Sequence, residues 1–185
     1  LEQLRTWSAQ NAGDTLRPTG RHRRNVNPIL TSSATLELGW WGYLVDGRPA
    51  AFPSTNTRSE RFLTSSRPLP RRVIVPATHW FEMQKPSRQW FELGLEERQL
   101  LGLAAFARPG RAEDGTEYLC YSLVMRPALD HISHTHDRMP LLITPDLTDE
   151  WIHSDAPGAD LLATALAVSE TAGAGVVART RESAL

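Results

Sequence analysis

Alternation of apolar and polar positions dominates the chain from residue 36 onward. Short segments rich in β-branched and aromatic residues recur with a period of two, and turn residues separate them, as in the strands of half-buried sheets. The predicted strands are 36–45, 71–83, 90–95, 100–106, 118–125 and 140–144. The polar stretch 107–117 between two of them is typical of a hairpin connection.

Helical spacing is confined to segments outside this alternating pattern. Leu1, Leu4 and Trp7 share one face of a short amphipathic helix. The four predicted helices cover 1–10, about 126–133, a segment from Thr148 as N-cap, and 159–168.

The remaining segments are rich in turn-forming residues. Residues 11–35 contain much Gly, Pro, Asn and Arg and are predicted to be loop with one brief strand. The last seventeen residues, 169–185, are rich in Gly, Ala and Arg and are predicted to be a flexible tail. With no repeat and no linker, 1–185 is expected to be one α+β domain with its core at about 20–155. A mainly antiparallel, β-rich arrangement with a few peripheral helices is expected.

Composition agrees with a soluble globular domain. The 185 residues are 41% apolar and 22% charged, enough for one substantial core. The longest apolar run, 100–107, is too short to span a bilayer, so no membrane contact is expected. Cys120 is the single cysteine, which excludes an internal disulfide and favours a cytoplasmic setting. A monomer is expected.

The net charge of −1 conceals an asymmetry along the chain. Residues 17–72 carry ten arginines against three acidic residues, whereas 73–185 carry nine basic and sixteen acidic groups. Nineteen of the twenty basic side chains are Arg, whose planar fork suits phosphate, so the basic half indicates a polyanionic partner. Arginine-favouring codon usage, with the charge spread over the folded surface, explains the composition equally well.

Three of the six histidines stand close together in "HISHTHDRMP" at 131–140. A structural zinc site needs four ligands, usually including thiolates, and the chain has one cysteine. No His-Glu-x-x-His pattern is present. A metal site is therefore not predicted, and His131 and His134 are interpreted as solvated turn residues.

Two further motifs could carry chemistry. Asn56 and Arg58 in "NTRSER" point the same way on an extended segment and could offer an amide and a guanidinium to one ligand. Taken alone, such a motif is more often a surface loop. Glu82 in "HWFEM" has apolar neighbours that would raise its pKa and suit it to general acid or base catalysis. The alternative is a strand-edge carboxylate that faces solvent.

Taken in order, these motifs resemble the SRAP family (SOS response-associated peptidase, a domain that senses abasic sites in DNA). The family pattern runs Asn-Ala-Arg-x-Glu, then Arg-Arg-Cys-Leu-Val-Pro-Ala-x-Gly-Phe-Tyr-Glu-Trp, then His-Asp-Arg-Met-Pro. The matching positions are Asn56, Arg58 and Glu60 in the first block, Arg71, Arg72, Val75, Pro76, Ala77 and Glu82 in the second, and 136–140 in the third. Weaker similarities at 25–28 and 41–43 extend the resemblance over roughly residues 20–155.

The resemblance implies a protein that binds single-stranded DNA at abasic sites and links a family N-terminal cysteine to the opened sugar as a thiazolidine. It implies catalytic roles for Asn56, Glu82 and His136, which should converge in one cleft. It implies DNA contacts for Arg58, Arg138, Arg71, Arg72 and Pro28. The resemblance also implies that the mainly antiparallel sheets are curved and barrel-like. It implies no metal and no organic cofactor.

The departures from the family pattern leave alternatives open. Family members start Met-Cys-Gly-Arg, whereas this sequence starts at Leu1, and Cys120 lies inside a predicted strand as a core residue. The family's Pro-x-Trp-Trp segment, which stacks on DNA bases, is replaced by 45–52. Absence of the leading residues from the given sequence is favoured over divergence. The alternatives are a non-catalytic single-stranded DNA-binding module and a small hydrolase that uses Glu82 and His136.

Overall fold

The computed structural model describes residues 2–11 and 26–182. Its helices are α1 Glu2–Asn11, α2 Thr148–His153 and α3 Gly158–Gly173. Its first seven strands are β1 Val26–Ser32, β2 Thr35–Trp41, β3 Leu44–Val45, β4 Arg48–Pro49, β5 Asn56–Arg58, β6 Arg72–Ala77 and β7 Trp80–Met83. The others are β8 Trp90–Leu95, β9 Leu101–Arg111, β10 Glu117–Pro127, β11 Arg138–Pro140, β12 Leu142–Ile143 and β13 Val176–Arg181.

Five strands close into a barrel in the order β10, β2, β1, β6 and β9, because β9 pairs back onto β10. The pairs β1–β2, β1–β6, β6–β9 and β9–β10 are antiparallel, and β10–β2 is parallel. Strands β5 and β11 both pair with β10, and β12 pairs with β9. The prediction of an α+β fold with curved, mainly antiparallel, barrel-like sheets is confirmed.

The long predicted strand 71–83 is two strands, β6 and β7, which belong to two different sheets. The chain leaves the barrel at the end of β6, and β7 then pairs with β8, which also pairs with β13. One face of this sheet presents Trp80, Phe91, Leu93 and Val176 to the core cluster that fills the barrel. We call this the inner face, and the opposite side the outer face. β3 and β4 form a separate two-stranded hairpin.

The helices α2 and α3 cover the outside of the barrel. Period two in β6 points Val73 and Val75 into the barrel and Ile74 outward, where Ile74 meets the apolar sides of the helices. Buried helix residues in this second cluster are Trp151, Ile152, Leu161, Leu162 and Ala165. The helices predicted from Thr148 and over 159–168 are confirmed, with α3 extending further to Gly173. The prediction of Thr148 as N-cap was wrong, because Thr148 is the first helical residue and Leu147 occupies the cap position without a side-chain hydrogen bond. The predicted N-terminal helix is confirmed as α1.

Two secondary-structure predictions were wrong. The helix predicted at about 126–133 does not form, because β10 continues to Pro127 by pairing with β11, and isolated turns follow over 129–135. The flexible tail predicted for 169–185 contains the end of α3 and all of β13. Its Gly/Ala/Arg composition resembles a linker, but Val176 is 1% exposed in the barrel core and fastens the strand.

Other features of the sequence have simpler outcomes. Cys120 is buried, as expected for a core residue. The brief strand predicted within 11–35 is confirmed as β1. Residues 12–25 lie outside the described residues. Among 2–11 and 26–182, no helix combines the length and apolar character needed to cross a membrane.

Candidate functional site

Glu82 occupies the inner face of the three-stranded sheet. It lies two residues after Trp80 on β7 and directly opposite Phe91 on β8, and both aromatic side chains contact the barrel core. A carboxyl group in this position exchanges much of its hydration for apolar neighbours. The structure therefore disagrees with the alternative of a solvent-facing strand-edge carboxylate.

The pKa of Glu82 is raised to about 7, chiefly because burial disfavours the carboxylate. The charge of His136 opposes this increase, and the negative charge of Asp137 adds to it. Glu82 and His136 thus lie within electrostatic reach of each other although they belong to distant parts of the sequence. At neutral pH the carboxyl group can exist in both protonation states, as a general acid–base catalyst requires.

His136 stands at the end of the turn segment 131–137, which is fastened to the same sheet. Nε2 of Gln84 donates to the carbonyl oxygen of His134 at 2.6 Å, and the ring of His134 meets Phe91 edge-on. The backbone N–H of Arg138 donates to Nδ1 of His136 at 3.1 Å. Nδ1 also lies 3.2 Å from Oδ1 of Asp137 and 3.3 Å from the carbonyl oxygen of Arg138. Nε2 carries a proton both in a neutral ring that accepts from Arg138 and in a protonated ring that pairs with Asp137, so in both forms it can donate.

Asn56 and Arg58 lie on β5 at the edge of β10. The parallel register pairs Asn56 with Leu123 and Arg58 with Met125, so both side chains project to the face of Leu123 and Met125, which belong to the barrel core. Thr57 points the other way and bonds to Ser122 at 2.8 Å. Asn56 and Arg58 are both exposed.

An ion pair connects the Asn56 segment to the His136 segment. Nη1 of Arg138 contacts Oε1 of Glu60, which lies in the 3-10 helix directly after β5. Burial alone would raise the pKa of Glu60, but backbone hydrogen bonding and Arg138 outweigh it and hold the pKa below its ordinary value. The structure thus joins Glu82 to His136 and ties both β5 and β11 to the end of β10, while convergence of Asn56 with the pair stays a prediction.

Arg72 was predicted to contact DNA, and this prediction was wrong. Its side chain is 6% exposed and points outward from β6 beneath α2. The guanidinium donates to the carbonyl oxygens of Leu69 at 2.9 Å and Ile152 at 3.4 Å, and also contacts that of Trp151. It therefore satisfies carbonyl groups at the end of α2, where a cation is favourable, and is not available to phosphate.

Arg71 and Pro28, which were also predicted to contact DNA, lie in different surroundings from Arg72. Arg71 is exposed at the start of β6, and its carbonyl accepts a bond from the N–H of Ala107. Pro28 faces outward from the barrel with Leu30, opposite to buried Asn27, and its contact with DNA stays a prediction. Arg48 forms an ion pair with Glu113, which lies in the turn between β9 and β10. The arginines of 17–24 lie outside the described residues.

The two remaining histidines of the motif occupy turns, as predicted. Nε2 of His131 lies 3.0 Å from the carbonyl oxygen of Val176, which ties the turn to β13. Across 2–11 and 26–182, no three His, Cys, Asp or Glu side chains are grouped in a way that could hold a metal. Burial raises the pKa of the Cys120 thiol, which opposes a role as nucleophile.

Sequence reasoning missed the groups that shape this site. Asp137 and Glu60 were matched to the family pattern without a role, although one acts on Glu82 and the other binds Arg138. Gln84 gave no signal, because its partner is a backbone carbonyl fifty residues away. Phe91 could have been found, since the alternation of β8 predicts its inward orientation.

A half-buried carboxyl beside an imidazole, on a sheet that packs against the core of a mixed five-stranded barrel, defines a candidate acid–base site of a β-rich α+β protein. The family model for SOS response associated peptidase (SRAP) matches residues 22–178. The chain therefore belongs to the SRAP family, DNA-binding domains associated with the SOS response to DNA damage. No curated protein matches the chain.

Solved structures share this fold. A protein from Bacteroides thetaiotaomicron matches with a TM-score of 0.63 and 17% identity over 85% of this chain and 74% of its own. A protein from Bordetella bronchiseptica matches with a TM-score of 0.61 and 15% identity over 85% and 84%. A phage-related protein from the same organism matches with a TM-score of 0.57 and 20% identity over 86% and 78%.

Proposed function

We propose that the chain binds single-stranded DNA at abasic sites and, in a form that begins with the family's cysteine, crosslinks to the opened sugar. The observation that carries the proposal is the half-buried Glu82 beside His136, with a pKa near neutrality, in a member of the SRAP family. Retention of Asn56 at the edge of the barrel supports it.

The crosslinking step needs proton transfers that these groups can supply. The N-terminal amine attacks the sugar aldehyde to give a carbinolamine, and protonated Glu82 donates a proton so that the hydroxyl leaves as water and an imine forms. The resulting carboxylate then accepts the thiol proton as sulfur adds to the imine carbon and closes the thiazolidine ring. A carboxyl whose pKa lies near the working pH performs both transfers efficiently, because its protonated and ionised forms are both well populated.

The other site residues have supporting roles. His136, with Nε2 as donor, assists opening of the sugar ring, and Asn56 orients the reacting groups through its amide. Arg58, Arg71 and Arg138 bind flanking phosphates, and Arg138 exchanges its contact with Glu60 for a phosphate oxygen. The same proton transfers would serve removal of a leading residue to expose the cysteine, which is the associated peptidase activity.

Incubation with single-stranded DNA containing one abasic site, followed by a denaturing gel, tests the proposal. A chain that begins Cys-Gly-Arg ahead of α1 should give a heat-stable crosslink, and the chain that begins at Leu1 should give none. Glu82→Gln and His136→Ala should each slow the crosslink at least about a hundredfold. Loss of an apparent pKa near 7 from the rate profile of Glu82→Gln would identify the titrating group.

The controls separate the alternatives. Both variants should bind undamaged single-stranded DNA like the parent, since neither removes a phosphate contact. Binding without any crosslink, even with the cysteine present, would contradict the proposal and favour a non-catalytic module. A crosslink formed by the chain that begins at Leu1 would identify a different nucleophile.

A further inference from the structure

The outer face of the three-stranded sheet combines aromatic and basic side chains. Pairing registers place these side chains on the side opposite to Glu82: Phe81, Met83, Trp90, Glu92, Arg179 and Arg181. Phe81, Met83 and Trp90 are half-buried, and neither of the two core clusters includes them. This face therefore offers apolar ring surface that the cores of the described chain do not use.

Charge on this face is organised around one buried carboxylate. Glu92 is 2% exposed and accepts bonds from Arg98 at 3.2 Å and from Nε of Arg181 at 2.9 Å. Burial by itself would raise the pKa of Glu92, but the bond from Arg181 and the neighbouring cations reverse the shift and keep it ionised. One carboxylate thus binds two guanidinium groups on the sheet, so Glu92, Arg98 and Arg181 together carry a net charge of +1.

Additional cations surround this centre. Arg179 is exposed on β13, opposite Glu92, and Lys85 and Arg88 lie in the turn between β7 and β8. The acidic pair 96–97 lies at the far end of β8, away from this turn. Glu182 adjoins the turn but offsets only one of these charges. The result is a positive rim beside half-buried rings.

We propose that this outer face is a second contact surface for single-stranded DNA, separate from the cleft at Glu82. Bases stack on Phe81 and Trp90, and phosphates bind Arg179 and the turn cations. Sheet faces that combine aromatic rings with arginines bind single strands in this way, because every base has a ring face and every linkage a charge. The identity of the strand as DNA rests on the proposed function.

The geometry also gives a path between the two surfaces. The turn 84–89 joins β7 to β8 at the end of the sheet next to Glu82, and its exposed cations Lys85 and Arg88 lie between the inner face and the outer face. Gln89 donates to the carbonyl oxygen of Arg181 at 2.8 Å and holds β13 against this turn. A DNA strand that continues past the cleft therefore meets the aromatic face next, and contact there requires no abasic site.

Binding of undamaged oligothymidine of increasing length tests the inference. Fluorescence anisotropy at low salt should show affinity rising from about 6 to about 20 nucleotides, a range that spans the site sizes of small single-strand-binding domains. Trp90→Leu and Arg179→Glu should weaken binding of the long oligonucleotide at least about fivefold and leave the shortest unaffected. Arg111→Glu is the matched control, because it reverses a paired arginine on the hairpin of the other sheet.

Photocrosslinking supplies a second measurement that does not depend on stability of the variants. Long oligonucleotides that carry bromodeoxyuridine should label peptides containing Phe81 or Trp90, and the shortest should not. Equal loss at all lengths, no loss at any length, or labels confined to other peptides would overturn the inference. A normal length effect without any abasic crosslink would reject the proposed function alone, and a normal crosslink without the length effect would reject only this surface.

Discussion

Gln84, directly after β7, binds the carbonyl oxygen of His134 and so fastens the strand that carries Glu82 to the turn that carries His136. The hydroxyl of Ser87 donates to Oε1 of Gln84 at 2.6 Å, which directs the NH₂ group of the amide toward the turn. The relative position of the acid–base pair therefore depends on one side chain with a fixed orientation.

Gln84→Ala should slow abasic-site crosslinking about two- to tenfold, the factor expected for loss of one hydrogen bond. Binding of undamaged DNA should not change, because Gln84 contacts no predicted phosphate ligand. Single-turnover crosslinking rates provide the measurement. Gln89→Ala is the matched amide control, since the Gln89 side chain bonds to β8 and β13 and not to the turn that carries His136. Equal slowing by both variants would indicate a general loss of sheet order.

Glu82→Gln should stabilise the fold at alkaline pH. The folded pKa of about 7 lies above the ordinary value of 4.5, so the folded state binds the extra proton between these limits and stability falls as pH rises through them. Removing the ionisable group should increase the free energy of unfolding on the order of 1–3 kcal/mol at pH 8 and little at pH 5. Urea unfolding at both pH values gives the comparison, and an equal effect at both would contradict it.

The neighbours Arg71 and Arg72 should give opposite phenotypes when each is replaced by Met. Arg72→Met leaves carbonyls of α2 without their donor and should cost about 3 kcal/mol or more of unfolding free energy. Arg71→Met should leave stability nearly unchanged and reduce the salt dependence of DNA binding by about one ion. Thermal unfolding and salt titrations of affinity distinguish the two, and a stable Arg72→Met with weakened DNA binding would restore the original assignment.

Glu60→Gln should strengthen binding of undamaged single-stranded DNA about two- to fivefold, the range expected for releasing a partly exposed ion pair. Phosphate then no longer competes with a carboxylate for Arg138. Anisotropy titrations measure the change, and Glu113→Gln, which removes the partner of Arg48, is the control for charge alone. Weaker binding by Glu60→Gln would mean that the ion pair holds Arg138 in its binding position.

The strands could be predicted because each alternates over its own length, but barrel closure could not. The parallel pairing of Gly39 with Leu119 joins segments far apart in the chain, and nothing local in either segment encodes it. The helix wrongly predicted near 126–133 shows the same limit, since pairing of Met125 with Pro140 decides the conformation. For β13, the signal was present in the β-branched pair 176–177, but the surrounding composition obscured it.

The residues of the candidate site could also be predicted only in part from the sequence. The residues of the motif 136–140 and Glu82 could be predicted, because their types and order are specific. The role of Arg72 was misjudged, although period two along β6 aligns it with outward-facing Ile74 and thus with the helices. The groups that set the pKa of Glu82 come from three separate segments, and only the folded chain brings them together.

The late position of β13 in the sequence has a consequence for the order of events during synthesis. Val176 and Ala178 pack against the same core as Phe91, the residue opposite Glu82. Until this last strand has left the ribosome and paired with β8, water reaches that core, and Glu82 is expected to titrate as an ordinary carboxyl. The nascent chain thus acquires its proton-transferring group only after Val176–Arg181 have been synthesised, so the site stays inactive until then.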